Sequence, residues 1–219
     1  MSNFDDCWYK SVCTKECGGS CIRYVEMKYL MDHSNLPVNL QTPRVLTPDK
    51  CDLSAFQELA EIKATIELNV AAGDNIYIGG ASAGTGKTSW AIKLLLKYFD
   101  AVWSGNGFRT RGIFIHVPTF LLKCKDFNNK DEEFEELKKN IATADLVVWD
   151  DIASTEISAY DYSQLLSYLD GRCNAGLSNI YTGNIVSANA MLKALGAKLT
   201  SRIFARSTIK IFFKGGDKR

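Results

Sequence analysis

The sequence predicts an α/β fold in which helices cover both faces of a parallel sheet of five strands. The first observation is that short apolar runs alternate with longer segments whose apolar residues recur at helical spacing. The second is a glycine-rich segment between one apolar run and one helical pattern, the order of a strand, a loop and a helix. The third is the length of 219 residues, which suits one medium domain with a small appendage.

Each predicted strand is a short apolar run bounded by glycine or polar residues. The runs cover residues 76–78, 112–117, 146–149, 178–182 and 208–213. Because they alternate with helical segments, we expect neighbouring strands to be parallel. No internal repeat or low-complexity tract interrupts this alternation.

The predicted helices have apolar residues three or four positions apart. They cover, in order, residues 22–34, 56–66, 90–99, 130–141, 158–171 and 188–195. The first carries Ile22, Val25 and Tyr29 at helical spacing, and it ends before Pro37. Residues 38–52 show little periodicity and are typical of a linker.

Side chains indicate a capped N-terminus for the second predicted helix and a solvated, charged face for the fourth. Either Asp52 or Ser54 is positioned to cap the second helix, because both side chains can accept a hydrogen bond from a free backbone N–H group. The fourth helix is amphipathic, with Glu135 and Lys139 paired on its solvated face. Its predicted inward residues are Phe134, Leu137 and Ile141.

Composition excludes several classes of protein. The formal net charge of +1 gives no global basic field of the kind that dedicated DNA-binding domains have. No apolar run approaches the length needed to span a bilayer, so we expect no membrane partner. The first ten residues lack the basic start and apolar middle of a signal peptide. We therefore expect a cytoplasmic protein with reduced thiols.

Four of the seven cysteines lie close together near the N-terminus, at Cys7, Cys13, Cys17 and Cys21. In a cytoplasmic protein this set favours a metal site over disulfides, and four thiolates would complete a tetrahedral structural Zn²⁺ site. His33 or Cys51 is an alternative for one ligand. An iron–sulfur cluster and unmetallated cysteines are the competing interpretations.

The cysteine cluster suggests how the chain is divided. Residues 1–45 are too few to bury a self-sufficient core, so a metal would have to support a small cysteine-rich module. We predict this module at 1–45, a linker at 46–53 and the α/β domain at 54–219.

The glycine-rich segment Gly79–Ser89 has the order that a phosphate-binding P-loop requires. Its glycines would let backbone N–H groups surround phosphate oxygens, and the following helix would direct its positive end to the same anion. Lys87 would bind the β- and γ-phosphates of ATP, and Thr88 would bind Mg²⁺. The first glycine of the usual pattern is replaced by Ala81. The predicted nucleotide-binding residues are Gly80, Ala81, Ser82, Ala83, Gly84, Thr85, Gly86, Lys87, Thr88 and Ser89.

Two acids at the end of the strand at 146–149 supply the second half of a nucleotide site. Ligands of open α/β sheets bind at the carboxyl ends of the strands, where Asp150 and Asp151 would emerge. Asp150 would hold Mg²⁺ together with Thr88, and Asp151 would act as the base or orient the attacking water.

Two further polar residues are candidates for the hydrolytic machinery. Asn184 follows the strand at 178–182, where its amide could bind the γ-phosphate or the attacking water, although a turn asparagine explains it equally well. Arg202 could act as an arginine finger on the γ-phosphate of a neighbouring subunit; the alternative for this residue is a surface arginine.

Taken in order, the segments IGGASAGTGKTSWAIKLL, LVVWDDIAS, LSNIYTGNI and LGAKLTSRI resemble the AAA+ ATPases of the DnaC/DnaI type, which load the replicative helicase in bacteria and phages. The resemblance covers about residues 54 to 219. It implies an AAA+ core without a C-terminal lid, with Walker A at Lys87 and Thr88 and Walker B at Asp150 and Asp151. It further implies sensor 1 at Asn184 and the arginine finger at Arg202. The cysteine-rich front resembles the zinc-carrying N-terminal domain of the DnaI version.

The resemblance implies a Mg²⁺-dependent ATPase that binds a DnaB-type helicase and helps place it on single-stranded DNA. The ATPase would be weak without its partners, and its ATP sites would lie between the subunits of a homo-oligomer. The compact size would fit a phage origin. Arg109, Arg111, Lys123 and Lys125 are candidates for contact with DNA phosphates, against the alternative of solvated cations. An IstB-like ATPase that assists a transposase shares the core motifs and is the alternative function.

Overall fold

A parallel sheet forms the centre of the molecule, in a computed structural model that describes residues 7–9, 13, 20–42, 45–104, 107–126, 131–154 and 156–217. Its strands are β1 (Asn75–Gly80), β2 (Gly112–His116), β3 (Leu146–Asp150), β4 (Ser178–Gly183) and β5 (Ile209–Phe213). They lie in the order β2-β3-β4-β1-β5, and every neighbouring pair is parallel. The predicted parallel sheet of five strands is confirmed.

Helices cover both faces of this sheet. They are α1 (Ile22–Asp32), α2 (Leu53–Ala64), α3 (Ile66–Ala71), α4 (Lys87–Val102), α5 (Val117–Cys124), α6 (Glu132–Thr143), α7 (Ala159–Asn174) and α8 (Ala188–Thr200). The first four pack on one face and the last four on the other, because alternate strand residues enter two separate hydrophobic clusters. None of the helices in the described part of the chain is both long enough and apolar enough to cross a membrane.

Two predicted elements differ from the structure because of proline and glycine. The predicted strand at 112–117 ends one residue early, and Pro118 lies in the first turn of α5, a helix that the sequence pattern did not predict. A proline lacks the N–H group that a strand donates, but it is tolerated where a helix begins. Helix α8 does not end at residue 195: it passes Gly196, whose φ of 72° kinks it, and continues into a π-helix, Ser201–Ala205.

Helix α1 packs by a different face from the one that its spacing suggested. Ile22 is 67% exposed and Val25 is 41% exposed, whereas Met27, Leu30 and Met31 are buried. These three residues belong to the same hydrophobic cluster as α4. The boundary that we predict at residue 45 therefore separates two segments that share one core.

The segment after α1 covers the outer edge of the sheet. The backbone N–H of Phe114 in β2 donates to the carbonyl oxygen of Ser34 at 2.7 Å, and the Asn35 side chain donates to the carbonyl oxygen of Phe114 at 2.8 Å. Because β2 is an edge strand, these bonds occupy backbone groups that would otherwise be open to another chain.

Asp52 precedes α2 but does not cap it with its side chain. Its buried carboxylate instead accepts hydrogen bonds from the backbone N–H groups of Lys214, at 2.7 Å, and Gly215, at 3.2 Å. The acid therefore joins the start of α2 to the segment after β5. The predicted single helix through Ile66 is two helices, since α2 ends at Ala64 and Ile66 begins α3.

The charged face of α6 forms an ion pair different from the predicted one. Glu135 pairs with Lys138, three residues on, rather than with Lys139. The inward face is close to the prediction, with Phe134 and Ile141 buried and Leu137 partly buried. An exposed pair of this kind contributes about 1 kcal/mol or less, so the exchange of partners has little effect on the fold.

A buried arginine organises the amino ends of the central strands. Arg172 near the end of α7 is 1% exposed, and its guanidinium donates to four acceptors at 2.6–2.8 Å. These acceptors are the carbonyl oxygens of Ile141, Ala144 and Ser178 and the side-chain oxygen of Asn179. Burial lowers the pKa of Arg172 to about 10, so the side chain stays protonated at neutral pH.

We expect Arg172→Met to lower the free energy of unfolding by roughly 3 kcal/mol or more, because it leaves several buried acceptors without a donor. Arg206→Gln is the matched control, since Arg206 is exposed and its guanidinium contacts only the carbonyl oxygen of Cys173, at 3.4 Å, among the hydrogen bonds of the described residues. Urea unfolding measures both variants. A decrease below about 1 kcal/mol for Arg172→Met would show that the network is dispensable.

Candidate functional site

The loop between β1 and α4 has the geometry of a phosphate cradle. Strand β1 ends at Gly80 and α4 begins at Lys87. Gly84 and Gly86 have φ angles of 67° and 101°, a region that glycine adopts without the steric cost that other residues meet. These turns lead the backbone to the N-terminus of a sixteen-residue helix, whose free N–H groups and dipole favour an anion.

Ala81 does not need to be glycine in this loop. It is exposed, and its φ is not positive. Glycine is required just before it, since a Cβ on Gly79 would lie 2.8 Å from the Phe212 ring and one on Gly80 would lie 3.0 Å from the carbonyl oxygen of Phe213. The departure from the usual pattern at Ala81 is therefore compatible with the loop conformation.

Lys87 points back into the loop. Its ammonium group donates to the carbonyl oxygens of Ser82 at 2.7 Å and Gly80 at 3.2 Å, and it lies 3.3 Å from the Thr85 hydroxyl. Burial lowers the pKa of Lys87, and the charges of Asp151 and Asp150 partly oppose this effect. The side chain is 8% exposed, and its ammonium group lies at the centre of the cradle.

Asp150 lies at the end of β3 between two hydroxyl groups. Its Oδ1 atom accepts hydrogen bonds from Thr88 in α4 and Thr182 in β4, both at 2.7 Å. Burial raises the pKa of Asp150, and the two hydrogen bonds lower it. The predicted pairing of Thr88 with Asp150 is present in the structure, and it places two oxygen ligands of the kind that Mg²⁺ prefers side by side.

Two residues of this cluster were not predicted from the sequence. Thr182 is the residue before Gly183, and its hydroxyl also accepts a hydrogen bond from the Asp151 backbone N–H at 2.9 Å. His116 pairs in register with Asp150, and its Nε2 atom lies 4.0 Å from a carboxylate oxygen of Asp151. Both could have been found from the rule that the last residues of adjacent parallel strands meet at one edge.

Asp151 has a backbone conformation that is unusual for an acid. Its φ is 61°, in the left-handed region, where asparagine and aspartate are enriched among non-glycine residues. This conformation directs the chain away from β3 immediately after Asp150. The half-exposed carboxylate lies beside His116, whose other ring nitrogen is 2.8 Å from the Thr119 hydroxyl.

Asn184 follows β4 directly, and Gly183 pairs with Gly79 at the start of the phosphate loop. The asparagine is exposed, at the same edge of the sheet as the two acids. This position is compatible with the predicted contact to a γ-phosphate or an attacking water.

Arg202 lies at the amino ends of the strands, on the side of the sheet opposite the two acids. It belongs to the π-helix that ends shortly before β5 begins, and its guanidinium pairs with Asp170 near the end of α7. Hydrogen bonding to Asp170 raises the pKa of Arg202. Because strands of this length span roughly 17–20 Å, Arg202 is separated from its own phosphate loop by about the height of the sheet.

The cluster fits ATP with Mg²⁺. The loop supplies a cation and backbone donors for phosphate, and the adjoining Thr88 and Asp150 supply oxygen ligands for the metal. When bound, Mg²⁺ would neutralise charge on the phosphate oxygens. Asp151 and His116 lie beside this position, where a carboxylate can hold or accept a proton of the attacking water.

The predicted zinc ligands are only partly described, because Cys17 lies outside the described residues. Among the residues that are described, Asp49, Cys51 and Asp52 form the one group of three candidate ligand atoms close enough to share an ion. The sulfur atoms of Cys7, Cys13 and Cys21 do not form such a group. The ring of His33 stacks on Tyr29, with centroids 3.9 Å apart. The described residues thus do not gather into the predicted site.

The four basic residues that we considered for DNA contact all have acidic partners within the chain. Arg109 and Arg111 both pair with Asp145, Lys125 pairs with Asp161 at 2.7 Å, and Lys123 lies 3.9 Å from a carboxylate oxygen of Asp131. These contacts favour the alternative interpretation, in which the four cations have structural or solvated roles.

Comparisons with known proteins identify the fold. No protein-family model matches the chain, and no curated protein matches it in sequence. The DnaC helicase loader superposes with a TM-score of 0.65 at 18% identity, covering 81% of this chain and all of that chain. DnaI gives a TM-score of 0.62 at 17% identity, covering 84% of this chain and 94% of that chain.

A third similar structure is the replication initiator DnaA bound to AMPPCP and single-stranded DNA. It gives a TM-score of 0.56 at 15% identity, covering 85% of this chain and 50% of that chain. At these identities the likeness establishes the fold alone, and an activity has to be argued from the residues of the site. The chain therefore shares its fold with the DnaC and DnaI helicase loaders and with DnaA.

Proposed function

We propose that the protein is an ATP-dependent helicase loader, which binds a DnaB-type replicative helicase and helps place it on single-stranded DNA. The observation that carries the proposal is the likeness to the DnaC helicase loader over the whole of that solved chain, combined with the cluster of Lys87, Thr88 and Asp150 in this chain. The same core motifs serve an ATPase that assists a transposase, and no contact among the described residues favours that alternative.

The ATPase activity is proposed from the arrangement at the carboxyl edge of the sheet. Lys87 would hold the phosphates, and Thr88 and Asp150 would hold Mg²⁺. Asp151, supported by His116, would orient the attacking water or take its proton, and Asn184 would contact the γ-phosphate. Lys87 and Thr88 begin α4, and the other four residues lie at the carboxyl ends of β2, β3 and β4.

Arg202 supports an assembly in which ATP lies between subunits. Since Arg202 lies at the amino ends of the strands, away from its own phosphate loop, it can contact the γ-phosphate only of ATP bound to a neighbouring copy. In the single chain its charge is occupied by Asp170. Formation of a shared site would exchange this carboxylate for the γ-phosphate of the neighbour's ATP, which links ATP binding to self-assembly.

Zinc binding by Cys7, Cys13, Cys17 and Cys21 stays a prediction, and we assign zinc no part in the ATP cycle. Metal analysis of protein purified without chelators tests it, and less than about half an equivalent of metal per chain would exclude the site.

Retention of the helicase on the immobilised full chain tests the loader proposal. Helix α1 shares its core with α4, so the full chain rather than an N-terminal fragment is the appropriate bait. We expect a DnaB-type helicase from the same cell or phage to be retained, and a transposase not to be. Failure of every such helicase to bind, with or without ATP, would contradict the proposal.

We expect Thr182→Val to raise the Mg²⁺ concentration needed for half-maximal ATP turnover by roughly tenfold or more, because outer-shell partners of metal ligands have effects of this size. The change removes one of the two hydrogen bonds that favour the charged form of Asp150, so the pKa of Asp150 rises further. Thr182→Ser keeps the hydroxyl and should restore the wild-type dependence. An unchanged Mg²⁺ requirement in Thr182→Val would contradict the assigned metal position.

We expect Arg202→Ala to bind ATP normally but to reduce turnover by roughly 10³-fold or more, as other arginine-finger removals do. Mixing it with Asp151→Asn protein should restore turnover, since the second variant supplies Arg202 to an intact neighbouring site. Arg206→Ala controls for the removal of charge, and Lys87→Ala should remove ATP binding itself. If light scattering shows mixed assembly without restored turnover, Arg202 does not act between subunits.

A further inference from the structure

A cavity of about 480 Å³, separate from the candidate ATP site, lies where the N-terminal segment meets α2 and α4. It lies against the C-terminal half of α4, whereas the phosphate loop is at the N-terminus of that helix. Four basic side chains line it together with one acid, which is a local excess of positive charge in a chain whose net charge is +1. The charged lining residues are Arg23, Lys63, Lys93, Lys97 and Asp100.

Two of these cations have structural roles. Arg23 and Lys97 both pair with Asp100, at 2.9 Å and 2.8 Å. The Arg23 guanidinium also lies 3.3 Å from the centre of the Tyr9 ring, which fixes the N-terminal segment on α4. These two side chains therefore share the single carboxylate of Asp100, and the cavity lining as a whole keeps a net positive charge.

Lys63 and Lys93 are different, because neither has a carboxylate within ion-pair distance among the described residues. Both are partly buried, and Lys93 lies with its ammonium group 5.1 Å from the centre of the Trp90 ring. Burial lowers the pKa of Lys93, and the like charge of Lys63 lowers it further. An anion between the two ammonium groups would relieve this repulsion and replace the hydration that burial removes.

An aromatic side chain lines the same cavity. Trp8 stacks on Tyr24 with ring centroids 5.8 Å apart and an interplanar angle of 30°. Cations that bind phosphate and aromatic rings that stack on bases are the two components by which proteins hold unpaired nucleotides. A site for an acidic peptide would use the cations but would have no need of a stacked indole.

We propose that this cavity binds a nucleoside phosphate, with the phosphate between Lys63 and Lys93 and the base against Trp8. The proposal rests on the single-stranded DNA partner proposed above, and it assigns that partner a contact outside the ATP site. The unit bound is one nucleotide of a strand or a free nucleotide, and the two sources share the same chemistry.

Fluorescence anisotropy with a labelled oligothymidylate of about fifteen nucleotides tests the site in the full chain. We expect the double variant Lys63→Gln with Lys93→Gln to weaken binding at least tenfold. It should also reduce the slope of log affinity against log salt by about 0.7 for each phosphate that the variant no longer neutralises. Trp8→Ala should weaken binding about tenfold without changing that slope, since stacking carries no charge. The matched control is Lys193→Gln with Lys198→Gln, which removes two exposed lysines from α8.

Thermal unfolding separates binding from a structural role. Removal of two mutually repelling cations should leave the melting temperature of the lysine double variant equal to or above that of the wild type. A lower melting temperature together with weaker binding would assign the lysines to folding and overturn the site.

The remaining outcomes separate the ligand sources. Competition by dTMP that disappears in the lysine double variant supports capture of a free nucleotide, whereas lysine-dependent binding of the strand without such competition supports a strand site. Equal binding by the double variant and the wild type overturns the proposal while leaving the loader function intact. Displacement of the labelled strand by a polyglutamate peptide at a lower concentration than unlabelled oligothymidylate requires identifies an acidic protein segment and also overturns it.

Discussion

The hydrogen bonds of the buried Arg172 guanidinium hold β3 and β4, the two strands that carry Asp150 and Thr182, in their relative positions. Arg172 binds the end of α6, the turn before β3 and the first residues of β4 through four acceptors. Asn179, one of those acceptors, also accepts a hydrogen bond from Trp149 and donates one to Asn75 in β1. Three adjacent strands are therefore held in register at their amino ends, and that register decides which residues meet at their carboxyl ends.

At the carboxyl ends of the same strands, this alignment brings Asp150 to Thr182. Asp150 in β3 accepts hydrogen bonds from residues of α4 and β4, so a single buried carboxylate connects α4 to two strands. Burial alone would favour the neutral acid, and the two hydroxyl groups counter it. The chain then turns away through the left-handed conformation of Asp151. A site built in this way depends on strand ends being correct within about one residue, because a shift would reverse the direction of each side chain.

Local patterns predicted the parts of the molecule whose chemistry is local. Glycine-rich turns, buried apolar runs and paired acids predicted the sheet, the turn between β1 and α4, and the pairing of Thr88 with Asp150. What the patterns did not predict depends on contacts between distant segments. Thr182 and His116 join the cluster only because parallel strands are in register, and Met27 rather than Ile22 faces the core because α4 lies on that side. The ion pairs of Arg109 and Arg111 with Asp145 likewise require a loop whose path the sequence does not show.

The bonds between Ser34, Asn35 and the edge strand β2 have a consequence for how such a protein can evolve. The segment around α1 covers the edge of the sheet and contributes to the core that also contains α4, so it cannot be exchanged as an independent domain. A different N-terminal domain would have to cover the edge of β2 and supply its own apolar face for α4. Sequence change that preserves the fold should therefore fall on exposed side chains of α1, such as Ile22 and Val25, rather than come from recombination at the boundary.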